Sequence, residues 1–298
     1  MSSVPTTVAV DLGKTRCRVI VDRGERIVRS GLGSPGLATP GGVEDATAAI
    51  LPLLDLDPGP DLLGVGAAGA WAAPEAARAL AHALASSTKA RTVVASDVVT
   101  AHAGALGGAP GVLLIAGTGA AALGADADGI RLVDGWGPDI GDFGSGSWLG
   151  REAARAVQRA AVGLGPATSL TDAVAASILP AGDVISWIGE GGSIARRLGT
   201  LAPLVLDAAA AGDRVAGDIA AEAVRLLTAS AVAASTRTRD VVLHGGLTDH
   251  AWFRTELTSS LHAAGRTIAP ASGDALDGAL LLARRTDLPH ERFVHRAE

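Results

Sequence analysis

The sequence has a single cysteine, 3% aromatic residues and no tyrosine. One cysteine, Cys17, excludes a disulfide framework within the chain and, at the level of one subunit, a cysteine-rich zinc or iron–sulfur site. Scarce aromatic side chains leave little surface on which bases could stack, and no Lys/Arg cluster is long enough to follow a phosphate backbone. Since the net charge is also −6, nucleic acid is not an expected partner.

A long hydrophobic run is missing as well. The opening residues, "MSSVPTTVAVDLGK", lack the basic region and the long apolar region of a signal peptide. Residues 103–125 carry no charge, but Pro110 and several glycines predict buried strands joined by turns rather than a membrane helix. We therefore expect a cytoplasmic protein with no membrane partner.

The chain does contain an alternation of short β-branched runs and helical stretches. Three strands are predicted near 6–12, 16–22 and 25–32, followed by helix, strand and helix, and the same order restarts near residue 108. This pattern predicts an α/β fold in two domains, 1–107 and 108–298, with a ligand cleft between them. Later helices are predicted at 145–161, 168–178, 183–190, 192–211, 213–235 and 274–285, the last of which is expected to pack back on the first domain.

Each half begins with a glycine turn between two strands. "VAVDLGKTRCRVIV" places Asp11 at the end of a strand, before a turn through Gly13, Lys14 and Thr15. Such a turn exposes backbone N–H groups to a phosphate, and a carboxylate at its entrance can hold Mg²⁺. The alternative is an ordinary hairpin in which Asp11 caps its own turn. Val8 stands where a P-loop would need its first glycine, which excludes that motif.

The second half repeats the arrangement in "LLIAGTGAAALG". Gly117, Thr118 and Gly119 follow an apolar strand and precede another, so the backbone can approach an anion closely. One such turn could be a plain hairpin. Two of them, each opening a similar series of elements, favour a pair of phosphate-binding turns.

Several motifs, in their order and spacing, resemble N-acetylglucosamine kinases and the related BadF/BadG-type ATPases. They are "DLGKTR", "SDVVTAHAGAL", "IAGTGAAALG", "DGWGPDIGDFGSGSWLGRE", "LHGGLTD" and "SGDALDGALLLA". The resemblance implies two ribonuclease H-like domains of the actin-like, hexokinase-like ATPase superfamily. It further implies that both glycine turns bind the phosphates of ATP, that Asp11 organises Mg²⁺, and that Gly245 and Gly246 lie in the adenosine pocket.

The resemblance also implies the catalytic and sugar-binding residues. Asp97 would be the catalytic base and a substrate contact, although a residue that begins a helix can also serve as its cap. In the glycine-rich loop, Gly135, Trp136 and Asp142 would line the sugar pocket, with the Asp142 carboxylate accepting hydrogen bonds from sugar hydroxyls. The alternative for this loop is a rigid turn packed by tryptophans.

Two positions depart from the family pattern. Phe143 replaces the glutamate of the usual Gly-Asp-Glu-Gly-Ser loop, and Leu37 replaces a common asparagine. The resemblance implies an ATP-dependent kinase that phosphorylates a hydroxyl, expected at C6, of N-acetylglucosamine or a related amino sugar. The expected partners are ATP and a small-molecule sugar, and the expected assembly is a homodimer. The alternatives are a glucosamine or glucose kinase, a BadF-type activator ATPase, and a sugar sensor without turnover.

Overall fold

The computed structural model describes residues 5–54, 56, 59–179 and 182–298. Its strands are β1 (Thr7–Leu12), β2 (Arg16–Asp22), β3 (Arg26–Leu32), β4 (Leu62–Ala67), β5 (Arg91–Ser96), β6 (Gly111–Ala116), β7 (Ala120–Asp126), β8 (Gly129–Asp134), β9 (Asp240–His244), β10 (Thr267–Ile268) and β11 (His295–Ala297). Its α-helices are α1 (Gly42–Ile50), α2 (Pro74–Thr88), α3 (Asp97–Ala105), α4 (Gly146–Ala161), α5 (Leu170–Ser177), α6 (Val184–Gly189), α7 (Ile194–Gly199), α8 (Ala202–Ala210), α9 (Arg214–Ala234), α10 (Ala251–Ala263) and α11 (Ala275–Arg284).

The chain forms two compact units, each with its own sheet. Unit 1 holds Met1–Pro110, Ala125–Ile130 and Pro270–Glu298, and unit 2 holds Gly111–Gly124 and Arg131–Ala269. The α/β class is therefore confirmed. The boundary expected near residue 107 stays a prediction, because the compact units divide the chain at several points rather than at one.

The sheet of unit 1 has the strand order β11-β5-β4-β1-β2-β3. The strands β1, β2 and β3 form an antiparallel meander, while β4 pairs parallel with β1 and β5 pairs parallel with β4. Val8, Val10, Val19 and Val21 pack with α1 and α2 in one buried cluster. Because β1, β4 and β5 are parallel, their carboxyl ends meet at one edge of the sheet, where turns and helix starts collect.

Helix α11 lies in unit 1 and packs closely against α3. A Cβ atom on Gly278 would lie 1.8 Å from the carbonyl oxygen of Thr100, and one on Gly104 would lie 1.8 Å from that of Asp274. Only glycine permits this approach of two helix backbones. The start of α11, capped by Asp274, is thereby fixed to the helix that begins at Asp97.

Unit 2 repeats the strand order of unit 1. Its sheet runs β10-β9-β6-β7-β8, in which β9 and β10 take the places of β4 and β5 and pair in parallel. Its core joins strand residues such as Leu114 and Ala122 to Leu149, Leu227 and Phe253 from the covering helices.

Most of the predicted elements agree with the structure, and the exceptions are as follows. The single helix expected at 192–211 is wrong, because α7 ends at Gly199 and α8 begins at Ala202 with Pro203 in its first turn. A proline there lacks the N–H that a continuous helix would need. The prediction also missed the helix α10, the short strand β10, a short 3₁₀ helix (Pro289–Phe293) and the strand β11 that follows it. Among the described residues, no helix combines the length and apolar character that a membrane crossing requires.

Candidate functional site

The first glycine turn joins β1 to β2 in unit 1. The N–H of Gly13 donates to the carbonyl of Arg16 at 2.9 Å, and the N–H of Ser34 donates to the carbonyl of Gly13 at 3.2 Å. A Cβ atom on Gly33 would lie 2.2 Å from that Gly13 carbonyl oxygen. Only glycine at position 33 therefore lets this segment pack against the turn. Lys14 and Thr15 are exposed at the tip, where a phosphate could reach them.

Asp11 stands at the entrance of this turn and is held by an arginine. Arg18 donates from Nε and Nη2 to Oδ2 of Asp11, at 3.0 and 2.7 Å, and from Nη1 to Oδ2 of Asp274 at 3.0 Å. The guanidinium thus links the turn to the start of α11. Among the described residues, the Asp11 carboxylate bonds to Arg18 and not to the backbone of its own turn.

Asp97 is the first residue of α3, directly after β5. Its Oδ1 accepts hydrogen bonds from Oγ of Ser96 and from the N–H of Val98, both at 2.9 Å. Burial raises the pKa of the Asp97 carboxyl, and the charge of Asp11 adds to this rise, while the two hydrogen bonds and Lys14 oppose it. Ser96, at the N-cap position, makes no side-chain cap bond and instead orients Asp97.

The second glycine turn joins β6 to β7 in unit 2. The N–H of Gly117 donates to the carbonyl of Gly119 at 2.9 Å. The N–H groups of Gly146 and Ser147, at the start of α4, donate to the carbonyls of Gly117 and Thr118 at 2.8 and 3.0 Å. The turn is thereby fixed to the helix that follows the glycine-rich loop.

The second pair of glycines lies beside this turn. A Cβ atom on Gly245, which has a φ of 108°, would lie 2.6 Å from the carbonyl oxygen of Ala116 and 2.9 Å from the nitrogen of Gly117. Gly246 begins a short 3₁₀ helix (Gly246–Asp249). Unit 2 therefore brings Gly117, Gly245 and Gly246 together, as a nucleotide site would require.

Asp134 organises the glycine-rich loop, a role that the sequence analysis missed. Its buried carboxylate accepts the N–H groups of Asp142 and Phe143 at 2.8 and 2.7 Å. Both Asp134 and Asp142 have positive φ angles, 63° and 53°, which are uncommon for residues other than glycine. The Asp-Gly pair at 134–135 was the available signal, because that pair is typical of tight turns.

The carboxylate of Asp142 lies against the glycine turn of the same unit. A Cβ atom on Gly119 would lie 3.0 Å from Oδ2 of Asp142, and the N–H of Ala120 donates to Oδ1 over 3.4 Å. Asp142 is only 9% exposed. A hydroxyl bound to this carboxylate would consequently sit near the turn that is predicted to hold ATP.

Trp136 presents an open aromatic face on the loop. It follows Gly135, which has a φ of 78°, and its side chain is 62% exposed. The ring of Phe143 meets it edge to face, with centroids 6.2 Å apart and planes at 86°. Phe143 thus supports the tryptophan, which could cover the apolar face of a sugar.

Leu37 does not line any described site. Its side chain is buried in the apolar core of unit 1, while its N–H donates to the carbonyl of Ala68 at 2.9 Å. The aliphatic side chain at this position therefore stabilises the core.

The residues around Asp11 suit a hydrated cation. Within the described part of the chain, no group of three or more His, Cys, Asp or Glu side chains could hold a metal ion. Mg²⁺ needs no such cage, since one or two carboxylates, waters and substrate phosphates usually complete its octahedron. Arg18 bonds to Oδ2 of Asp11, which leaves Oδ1 for this purpose.

Comparison with known proteins identifies relatives of this chain. The N-acetyl-D-glucosamine kinase of Dictyostelium discoideum is 33% identical over 134 residues, which cover 44% of this chain and 42% of that protein, less than half of its length. The crystal structure of a candidate N-acetylglucosamine kinase from Chromobacterium violaceum aligns with 28% identity and a TM-score of 0.75, over 94% of this chain and 99% of its own. An ROK family glucokinase from Streptomyces griseus, solved with glucose and AMPPNP, shares the fold at 21% identity and a TM-score of 0.54, over 94% and 99% of the two chains.

A family model covers a longer stretch than the Dictyostelium alignment. It matches residues 8–283, which include both glycine turns, Asp97, the glycine-rich loop and the Gly245–Gly246 pair. The motifs that suggested the resemblance thus lie inside one continuous match. The chain belongs to the BadF/BadG/BcrA/BcrD ATPase family.

Proposed function

We propose that this protein is an ATP-dependent sugar kinase of the N-acetylglucosamine kinase type. The observation that carries the proposal is Asp97, a carboxylate held by Ser96 at the start of α3, in the electrostatic range of Asp11 and Lys14 on the phosphate turn. A base whose pKa is raised toward the working pH accepts a proton more readily than an ordinary aspartate. The kinases among its relatives agree with this assignment.

In the proposed reaction, Asp97 accepts the proton of the attacking sugar hydroxyl. The hydroxyl oxygen forms a bond to the γ-phosphorus of ATP as the bond to the β-phosphate oxygen breaks, and ADP leaves. Transfer of this kind depends mainly on positioning and on stabilising charge at the phosphates. Backbone N–H groups of the two glycine turns other than those of Gly13 and Gly117, with Lys14 and Thr15, would supply that stabilisation.

Mg²⁺ would be held near Oδ1 of Asp11 and, when bound, would neutralise charge on the β- and γ-phosphates. Arg18 fixes the orientation of this carboxylate through Oδ2. Gly245 and Gly246 would leave space for the adenosine beside the Gly117 turn.

The acceptor is proposed to be N-acetylglucosamine or a related amino sugar, phosphorylated at C6. Asp142 would accept hydrogen bonds from ring hydroxyls, and Trp136 would cover an apolar face of the ring. Both residues lie on the loop that Asp134 holds in place.

The activator ATPases of the same family are the second candidate, and the cysteine chemistry does not fit them. An iron–sulfur cluster shared across a dimer uses thiolate ligands, and this chain offers one cysteine. Cys17 is buried in β2, and burial raises the pKa of its thiol to about 11, which disfavours the thiolate.

ADP release in the presence of a panel of sugars tests the proposal. Release should be slow with ATP alone and should rise with the correct sugar, while phosphorus NMR of the product identifies the esterified carbon. Glycerol serves as a control hydroxyl donor that lacks the ring. A rate that no sugar or amino sugar increases would refute the kinase assignment.

A further inference from the structure

A cavity lies in unit 2, apart from the residues of the candidate site. Its volume is about 970 Å³, and its walls come from α4, α6, α7 and the start of α9. None of the residues assigned above to nucleotide, sugar or proton transfer is among its lining residues. Its volume falls at the upper end of the range, about 300–1,000 Å³, of small-molecule sites.

One wall of this cavity is cationic. Arg151, Arg155 and Arg159 recur every four residues on α4, which places them on one helix face, and Arg214 joins them from α9. The carboxylates in the lining are Glu152 and Asp218. In a chain whose net charge is −6, this excess of arginine marks a local region of opposite sign.

Most of this positive charge is not neutralised by the protein. Arg155 pairs with Glu152 at 2.7 Å, and Arg159 donates only to the neutral carbonyl of Leu164, at 3.3 Å. Arg151 and Arg214 make no side-chain hydrogen bond or ion pair to any residue in the described ranges. Arg151 is also half-buried, and a partly desolvated cation without a partner favours an anion beside it.

A second wall is apolar. Val184 and Leu198 are buried, whereas Ile185 is 76% exposed and Ile194 is 39% exposed. Isoleucines that face solvent on the wall of a cavity indicate a ligand surface more than a packing surface. The two walls together present donors for a negative group and an apolar surface for the rest of a molecule.

We propose that this cavity binds a small organic anion with an apolar body, such as an aromatic or aliphatic carboxylate or sulfonate. The anionic group lies between Arg151 and Arg214, and the apolar body lies against Ile185 and Ile194. The proposal does not depend on the kinase activity, because no residue of the phosphate turns or of the glycine-rich loop takes part.

Fluorescence titration with two matched dyes tests the proposal on the full chain. Anilinonaphthalene sulfonate carries an anionic group on an apolar body, while N-phenylnaphthylamine has the same rings without the charge. The sulfonate dye should bind at one site per chain. It should bind at least about 10-fold more tightly than the neutral dye, because the neutral dye cannot form a charged hydrogen bond with the arginines. Binding should persist with saturating ATP and sugar.

Variants locate the site. R151Q and R214Q should each weaken binding of the sulfonate dye about 10-fold and leave binding of the neutral dye unchanged. R225Q is the matched control, because Arg225 also lies on α9 and pairs with Glu222 outside the cavity. Arg214 is exposed, so its variant remains informative even if R151Q folds poorly.

Three results would overturn the proposal. They are equal affinity of the two dyes, wild-type affinity of the sulfonate dye in R214Q, and complete displacement of that dye by ATP.

Discussion

Asp97 combines two properties that conflict in an ordinary helix start. A carboxylate at this position would be acidified by the helix N-terminus, but burial raises the pKa of Asp97 above its usual value. The desolvated carboxylate is costly when charged, and the hydroxyl of Ser96 and the N–H of Val98 offset part of that cost. A general base that works at neutral pH requires such a raised pKa.

Replacement of Asp97 by asparagine separates catalysis from folding. D97N should reduce turnover roughly 10²–10⁴-fold, the usual range for loss of a general base, with nucleotide affinity little changed. Wild-type turnover should fall on the acid side with an apparent pKa above that of an ordinary aspartate. Steady-state ADP release between pH 4 and pH 9 measures both, and wild-type turnover in D97N would reduce Asp97 to a structural residue.

The D97N variant should also change how the free energy of unfolding depends on pH. Because the folded-state pKa of Asp97 is raised, its contribution to stability is present below the unfolded-state pKa, about 3.9, and is lost as the pH rises through the folded-state value. D97N lacks this loss, so its free energy of unfolding at pH 7 should exceed that of the wild type. The difference should vanish at acid pH. Denaturant melts at the two pH values supply the measurement, and equal differences at both would contradict the assignment.

Asp142 is the residue on which sugar affinity should depend most. D142A should raise the sugar KM about 10-fold or more, because a carboxylate that accepts hydroxyl protons contributes about 1.5–3 kcal/mol. The KM for ATP should change little. D139A is the matched control, since Asp139 is an exposed aspartate of the same loop. Similar KM values for both variants would show that Asp142 does not contact the sugar.

At the residue level, the sequence predicted the chemical groups but not the side chains that hold them. Asp11, Asp97 and Asp142 stood in recognisable motifs. The contact of Arg18 with Asp274 depends on long-range geometry, since the two residues lie 256 positions apart in the chain. Local patterns carry no signal for such pairs.

At the level of elements, the packing of α3 against α11 fixes the helix that carries Asp97. The carbonyl of Thr100 lies over Gly278, and that of Asp274 lies over Gly104. The N-cap Asp274 also accepts a bond from Arg18, so one helix start contacts α3 and, through Arg18, the Asp11 that precedes the first glycine turn. Changes at this interface should therefore affect both stability and turnover.

Two glycine-to-alanine variants test this interface. G278A should destabilise the protein by about 1–3 kcal/mol, because its methyl group overlaps the Thr100 carbonyl and α3 must shift. G217A is the matched control: Gly217 lies inside α9 with no atom within 4 Å of its Cβ position, so alanine should gain up to about 1 kcal/mol of helix propensity. Thermal melts and turnover measure the effects. Equal stability of the two variants would contradict the packing argument.

Predictability of the elements followed the strength of their local patterns. The strands predicted near 6–12, 16–22 and 25–32 had clear apolar patterns, and they correspond to β1, β2 and β3. The break between α7 and α8 was missed although Gly199 and Pro203 mark it, because apolar residues continue across it. The three-residue β11 is defined by pairing with β5, which a local pattern cannot predict.

At the scale of the whole molecule, the two compact units repeat one strand order with a glycine turn after the first strand of each. The repeat was visible in the sequence as a restart of the element order. Each unit has its own buried cluster, so substitutions in one core need not disturb the other. What differs between the units is the chemistry: the proposed base lies in unit 1, and the glycine-rich loop lies in unit 2.

Substrate choice by the whole enzyme should reflect the two departures from the family pattern. Leu37 is buried in the core of unit 1, and Phe143 packs against Trp136, so neither offers the polar group that the family pattern carries there. An acetamido group that relied on those polar groups would lose its partners. We therefore expect kcat/KM for glucosamine, or for a sugar with another 2-substituent, to exceed that for N-acetylglucosamine.

The decisive measurement compares kcat/KM for N-acetylglucosamine, glucosamine, N-acetylmannosamine and glucose in the wild type, F143E and F143L. F143E restores the glutamate of the family loop and should shift the preference toward N-acetylglucosamine about 10-fold, the value of one hydrogen bond to a charged group. F143L removes the aromatic contact with Trp136 without adding an acceptor, and should lower kcat/KM for all four sugars alike. Contacts in a substrate pocket can give a preference of about 100-fold. If the wild type already prefers N-acetylglucosamine by that factor, then Leu37 and Phe143 are neutral replacements.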